Sequence, residues 1–222
     1  MIPIVKIDEK QTADGLLQLF KRGDNDFIIK LNHQILMNSH LSLTEQVLAE
    51  KACLLIKHRR APRVFLSGLG MGYTLRAALD NLPEKAAVTV VEINPVIADW
   101  CRDYLAPLTG SPLKDSRVSL KIDDASMSIA QASYADNNRF DAIILDMYEG
   151  TSEANRDPFH PFYGSDALRT TREALNPQGV LAVWTEGEDR GFEKRLQKSG
   201  FKVTSVKDGK GGPRHVVYIG VK

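Results

Sequence analysis

The stretch Val64-Phe-Leu-Ser-Gly-Leu-Gly-Met-Gly-Tyr-Thr-Leu-Arg76 decides the fold. Val64 to Ser67 is a short apolar run without polar alternation, the pattern of a strand covered on both faces. The turn Gly68-Leu-Gly70-Met-Gly72 lets the backbone reverse tightly and approach a ligand with no Cβ in the way. A helical pattern follows at once. Taken alone, such glycines are equally well explained as a plain strand-to-helix turn, so the flanking sequence has to decide.

Four further runs of the same kind follow the first: Val88-Thr-Val-Val-Glu92, Val118-Ser-Leu-Lys-Ile122, Ala142-Ile-Ile-Leu145 and Val180-Leu-Ala-Val-Trp184. They alternate with helical stretches, as in a parallel sheet with helices on both faces. Upstream, Val47, Leu48, Ala52, Leu55 and Ile56 recur at helical spacing from Leu43 to about His58. Phe201–Val206 and His215–Val221 are joined by Lys207-Asp-Gly-Lys-Gly-Gly-Pro213, too short for a helix, and should pair antiparallel. The expected fold is therefore α/β, a seven-stranded, mainly parallel, doubly wound sheet with a terminal antiparallel hairpin, in the layout of class I methyltransferases. Before residue 40, Leu16–Phe20, Phe27–Leu31 and Gln34–Met37 read as strands, with turns at Arg22–Asn25 and Asn32-His33. This small β-meander (1–40) precedes the nucleoside-binding domain (41–222).

Composition narrows the function. The 222 residues are 43% hydrophobic and 26% charged, with 29 basic against 28 acidic side chains. That balance excludes wholesale disorder and lacks the basic stripe of a nucleic-acid-binding protein. The longest basic cluster, Lys57-His58-Arg59-Arg60, reads as a solvated helix end. No apolar run reaches the roughly 18 residues of a membrane helix, and the N-terminus lacks a secretion-signal layout. Cys53 and Cys101 read as buried free thiols of a cytoplasmic protein.

In doubly wound sheets ligands sit beyond the carboxyl ends of the strands. There Glu92, followed by Ile93, lies 20 residues beyond Gly72, placed to accept hydrogen bonds from ribose hydroxyls. After the third strand, Asp123-Asp124-Ala125 puts an acid where an adenine amino group is read. Either acid alone is equally a helix cap. Three such elements in order, each at a strand end, favour nucleoside binding. After the fourth strand, residues 147–162 form a long segment without apolar periodicity that carries Glu149, Glu153, Asp157 and His160, in the manner of a substrate loop. Glu186, Glu188 and Asp189 follow the fifth strand and, with Asp146, suggest an acidic pocket for an amine. The histidines have no ligand spacing and read mostly as surface residues; Trp100 and Trp184 read as core. No metal site is expected.

The residues from Val64 to Arg76 resemble the glycine-rich motif of spermidine synthases, GGGDGGxLR. Val91-Glu-Ile-Asn-Pro-Val-Ile97 resembles their ribose-binding strand end, and Phe140-Asp-Ala-Ile-Ile-Leu-Asp-Met-Tyr-Glu149 their YDVIIxDxxD motif. The likeness spans roughly residues 45 to 206. It implies that Gly68, Gly70 and Gly72 line a nucleoside co-substrate, with Glu92 and Ile93 at its ribose, Asp124 and Ala125 at its adenine, and Asp146 touching both co-substrate and acceptor. It implies catalytic roles for Asp146 and Glu149, aminopropyl transfer from decarboxylated S-adenosylmethionine to an amine or polyamine, and a homodimer. The chain departs from the pattern at Met71, where the family has an acid, and in lacking the DPxGP continuation. The family's Gln and Tyr-His-Glu stretch survives at best as Glu45. Methyl transfer from intact S-adenosylmethionine, or a non-catalytic nucleoside-binding module, are the alternatives.

Overall fold

The computed structural model describes residues 2–40, 42–134, 136–147, 151, 157–208 and 215–222. Asn32 and His33 take φ of 49° and 71°, the paired left-handed conformations of a tight two-residue hairpin. They join β3 (Asp26–Leu31) to β4 (Gln34–Asn38) in an antiparallel sheet whose first two strands are β1 (Ile4–Thr12) and β2 (Gly15–Arg22). Strand β1 adds to the three expected strands. It lies on the sheet edge, is exposed along most of its length and carries the charges usual on edges, so it has no buried stripe for a sequence reading to find. The Trp100 indole N–H holds it by donating to Asp8 Oδ2 at 2.9 Å. Leu17, Leu19, Phe27 and Ile29 enter the same core as the larger sheet, giving four strands a burial they could not build alone.

Helix α1 (Leu43–Ile56) leads into the larger sheet. Strands β5 (Arg63–Ser67), β6 (Ala87–Glu92), β7 (Val118–Ile122), β8 (Phe140–Leu145) and β9 (Leu175–Thr185) are parallel. The terminal hairpin of β10 (Lys202–Asp208) and β11 (His215–Val221) completes it, with β11 antiparallel to both neighbours. The seven run in the order β10-β11-β9-β8-β5-β6-β7, the expected layout. Strand side chains alternate between two apolar layers. Val64, Leu66, Val88, Val90, Ala142 and Ile144 face one, which α1, α2 (Tyr73–Asn81) and α3 (Pro95–Arg102) cover. Phe65, Val91, Ile143 and Leu145 face the other, covered by α4 (Ala125–Ser133), α5 (Ser165–Glu173) and α6 (Arg190–Lys198). The chain leaves β5 toward β6 and β7, then returns to β8 on the other side of β5. The loops after β5 and β8 therefore lie side by side at the switch point. Among the described residues no helix is long and apolar enough to cross a membrane.

One residue of the basic cluster corrects its reading as a solvated helix end. Arg59 docks on the opposite rim of the sheet, where its guanidinium donates to Asp141 Oδ1 at 2.8 Å and to the Pro177 carbonyl at 2.6 Å. Asp141, 5% exposed, also accepts from the Arg63 backbone N–H at 2.7 Å and from Asn176 Nδ2 at 2.8 Å. This carboxylate ties α1, β5, β8 and β9 together. Asp141→Ala leaves three donors without their acceptor and should cost about 2–4 kcal/mol, measurable as a lower denaturant midpoint. A loss below about 0.5 kcal/mol, the level of ordinary surface changes, would deny it that role.

Candidate active site

Gly68, Gly70 and Gly72 all have positive φ, at 88°, 53° and 87°. At Gly68 the requirement is absolute. A Cβ there would lie 2.2 Å from the Asp146 carbonyl oxygen, because the β5 and β8 loops touch. The Asp146 N–H donates to the Ser67 carbonyl at 3.0 Å, and the Gly68 N–H to the Val91 carbonyl at 2.9 Å. Gly70 is approached by Met37 from β4, whose sulfur would stand 3.2 Å from an added Cβ, and its carbonyl accepts from the Cys101 thiol at 3.0 Å.

Glu92 ends β6 with its carboxylate turned toward this loop. Oε2 accepts from the Leu69 N–H and Oε1 from the Asn94 N–H, each at 2.9 Å. Beside it Ile93 is 69% exposed, an unusual placement for an isoleucine at the ligand end of a sheet. Asp124 caps α4, accepting from both the N–H and the hydroxyl of Ser126 at 2.7 Å, and Ala125 behind it is buried. For Asp124 the helix cap is thus present, whatever else the residue does.

Asp146 stands just past β8 at the switch point. Thr74, in the first turn of α2, donates its hydroxyl to Asp146 Oδ2 at 2.5 Å, and the Trp184 side chain lies close enough to favour the charged carboxylate. Burial pushes this carboxyl up to about 6, the neighbouring Glu92 charge adds to the rise, and Thr74 and Trp184 restrain it. Glu45, in the first turn of α1, is pushed up to about 7, by burial first and then by the charge of Asp146. Burial, with Glu45 second, also raises the Tyr73 phenol. Thr44 shares a hydrogen bond with His215 Nδ1 at 2.5 Å, and the His215 ring leans on Trp184 at 5.4 Å between centroids. The sequence reading missed Thr74, Trp184 and His215. Thr74 carried a signal, a hydroxyl two residues beyond the last glycine; the other two reach the site only through the sheet order.

Several expectations change. Trp184 packs against the core but is only partly buried, since it also reaches the neighbourhood of Asp146. Asp189 does not join an acidic pocket; it caps α6 through the Phe192 N–H at 2.9 Å and accepts from Thr151 at 2.8 Å. Glu188 pairs with Lys207. His160 is buried, its Nδ1 accepting from the Phe162 and Tyr163 N–H groups at 3.2 Å each. Met71 is 5% exposed and packs in the apolar core, so the turn brings no charge of its own. Glu149 and Glu153 lie outside the described residues.

A glycine turn beside paired carboxylates, at the switch point of this sheet, defines a domain of the methyltransferase class. Residues 51–198 match the family model described as the spermine/spermidine synthase domain, and the chain belongs to that family. It is 28% identical over 132 residues to a polyamine aminopropyltransferase of Pseudomonas syringae pv. tomato, covering 58% of this chain and 42% of the relative. With a polyamine aminopropyltransferase of Sulfolobus acidocaldarius it shares 30% over 130 residues, 59% of this chain and 40% of the relative. The matches thus span about two fifths of the length of these curated relatives. The crystal structure of spermidine synthase from Thermotoga maritima superposes with a TM-score of 0.77 over 97% of this chain and 72% of that one, at 19% identity, a likeness of fold.

The two raised carboxyls set a pH dependence. Both bind their protons more tightly folded than unfolded, so the stability linked to them is fully present below about pH 4 and is lost as the pH rises through about 6 and 7. Glu45→Gln removes one ionisation. It should raise the Tm at about pH 8, by the equivalent of roughly 1–3 kcal/mol, and leave it nearly unchanged at about pH 4. Thermal melts at the two pH values check this; a lower Tm at the higher pH contradicts it.

Proposed function

We propose that this chain transfers an aminopropyl group from decarboxylated S-adenosylmethionine to an amine. The observation that carries the reading is Asp146: a sheltered carboxylate with a near-neutral proton affinity, held by Thr74 against the glycine turn. Membership of the family supports it. The residues fit a nucleoside: a turn of three positive-φ glycines, an acid at the end of β6 and the exposed Ile93 beside it. When bound, the nucleoside supplies an electrophilic carbon next to a sulfonium. The chain's own work is done at the acceptor. An amine is protonated at neutral pH and cannot attack until it loses that proton. Asp146, titrating near 6, orients the ammonium and accepts its proton in the transition state. The Thr74 hydroxyl holds the carboxylate in place, so alignment costs little at the moment of reaction. Glu149 is assigned to the acceptor on the family pattern alone. The apolar Met71 favours methyl transfer from S-adenosylmethionine as a second reading, since it offers no counter-charge to a decarboxylated tail. We place the chain in the cytoplasm, a reading that its two buried free cysteines support.

Two variants test the assignment. Glu92→Ala should weaken methylthioadenosine binding by at least about tenfold in calorimetric titration; equal affinity would remove the nucleoside from β6. Asp146→Asn should lower turnover, measured with both co-substrates against a panel of diamines, by roughly 100-fold or more, while still binding methylthioadenosine. Undiminished turnover would refute the role given to Asp146.

A further inference from the structure

Helix α1 brings to the strand ends a carboxylate that the reaction above leaves unused. Glu45 is mostly buried, and its Oε2 is sealed from solvent with no hydrogen-bond partner among the described residues. Besides burial and its own backbone, the charge that acts on it is Asp146 beyond β8, and Glu45 in turn acts on the Tyr73 phenol from α2. Glu92 from β6 adds its charge on Asp146. From β11, His215 is engaged by Thr44, one residue before Glu45. Among the described residues no lysine or arginine is a named influence on either Glu45 or Asp146. An orphaned carboxylate oxygen beside a second carboxylate is costly twice over, through lost solvation and through like-charge repulsion. A single cation placed between the two relieves both.

We infer that Glu45 is a specificity-determining residue of this site, clamping one protonated amine nitrogen of the substrate together with Asp146; the inference rests on the reading of the site as one that accepts an amine. An ammonium suits the place. It has three donors, enough for the open Oε2 and for an oxygen of Asp146. Ca²⁺ or Mg²⁺ asks for about six or more oxygen ligands, and the described residues hold no group of three or more metal-binding side chains. Without ligand, the pair lowers its repulsion by retaining a proton near neutral pH, consistent with the raised values of both acids. The incoming ammonium takes over that role, and the retained proton leaves for solvent. No covalent bond changes. Where the pair held a proton, charge balances: one positive charge enters as ammonium and one departs as H⁺.

The test is calorimetric titration of the full chain, saturated with methylthioadenosine, using 1,4-diaminobutane and its neutral counterpart 1,4-butanediol. Running it near pH 7 in two buffers of different ionisation enthalpy counts the protons released. The parent should bind the diamine, ignore the diol and release roughly half a proton per diamine bound, the share the pair still holds at that pH. Glu45→Gln should weaken diamine binding by about tenfold or more and abolish most of the proton release, with methylthioadenosine affinity unchanged. Glu45→Asp, which keeps the charge, should recover part of the loss. Diamine affinity and proton count in Glu45→Gln equal to the parent's would overturn the inference, and so would parent binding of the diol as tight as that of the diamine. Turnover of the parent and its loss in Asp146→Asn are read separately, so the proposed reaction can stand while the role of Glu45 falls.

Discussion

Gly68 and Asp146 meet backbone to backbone, and the site depends on that meeting. The hydrogen bond from Asp146 N–H to the Ser67 carbonyl brings the loop after β8 against the loop after β5. Only a residue without Cβ can stand at Gly68, with the Asp146 carbonyl 2.2 Å from where that carbon would be. The contact fixes Asp146 at the mouth of the glycine turn. It also brings the first turn of α2 within reach, so that Thr74 can hold the carboxylate. Any larger residue at Gly68 would separate the two loops and scatter the groups the chemistry needs.

The site is arranged at the expense of stability. Glu45 and Asp146 would each ionise more readily in water, and a chain selected for stability alone would place neutral or apolar side chains there. The opposite rim of the sheet shows what an acid does when structure is its only task. Asp141 is as thoroughly buried, yet its oxygens are met by Arg59, the Arg63 N–H and Asn176. One carboxylate is saturated with donors; the other pair is left short of them. That contrast, more than burial itself, separates the functional end of the strands from the structural end.

The parallel strands and the glycine turn were legible in the sequence because period and spacing are local properties. The apolar runs at Val64, Val88, Ala142 and Val180 are strands covered on both faces, whereas Val118–Ile122 is an edge strand with no buried residue, and the hairpin at Asn32-His33 followed from turn chemistry. Strand β1 was not legible, since a charged edge strand has no apolar stripe to betray it. Arg59 looked solvated because its partner Asp141 is 82 positions away. Trp184 was similarly hidden, and Glu45 stood out only as a remnant of a family motif: both come near Asp146 only through the packing of α1 and the order of the sheet. Asp124 shows a different limit, for the oxygen that caps α4 is also the atom a ligand would seek, and spacing does not separate the two uses.

The chain has two tryptophans, and the fold places them in opposite circumstances. Trp100 is 2% exposed and anchors the edge strand through Asp8. Trp184 is partly buried beside a carboxylate pushed up to about 6. Their fluorescence is therefore a pair of built-in optical gauges. The indole of Trp100 reports attachment of the small sheet, and that of Trp184 reports the charge on Asp146, so a single emission spectrum separates a loosening scaffold from an ionising site.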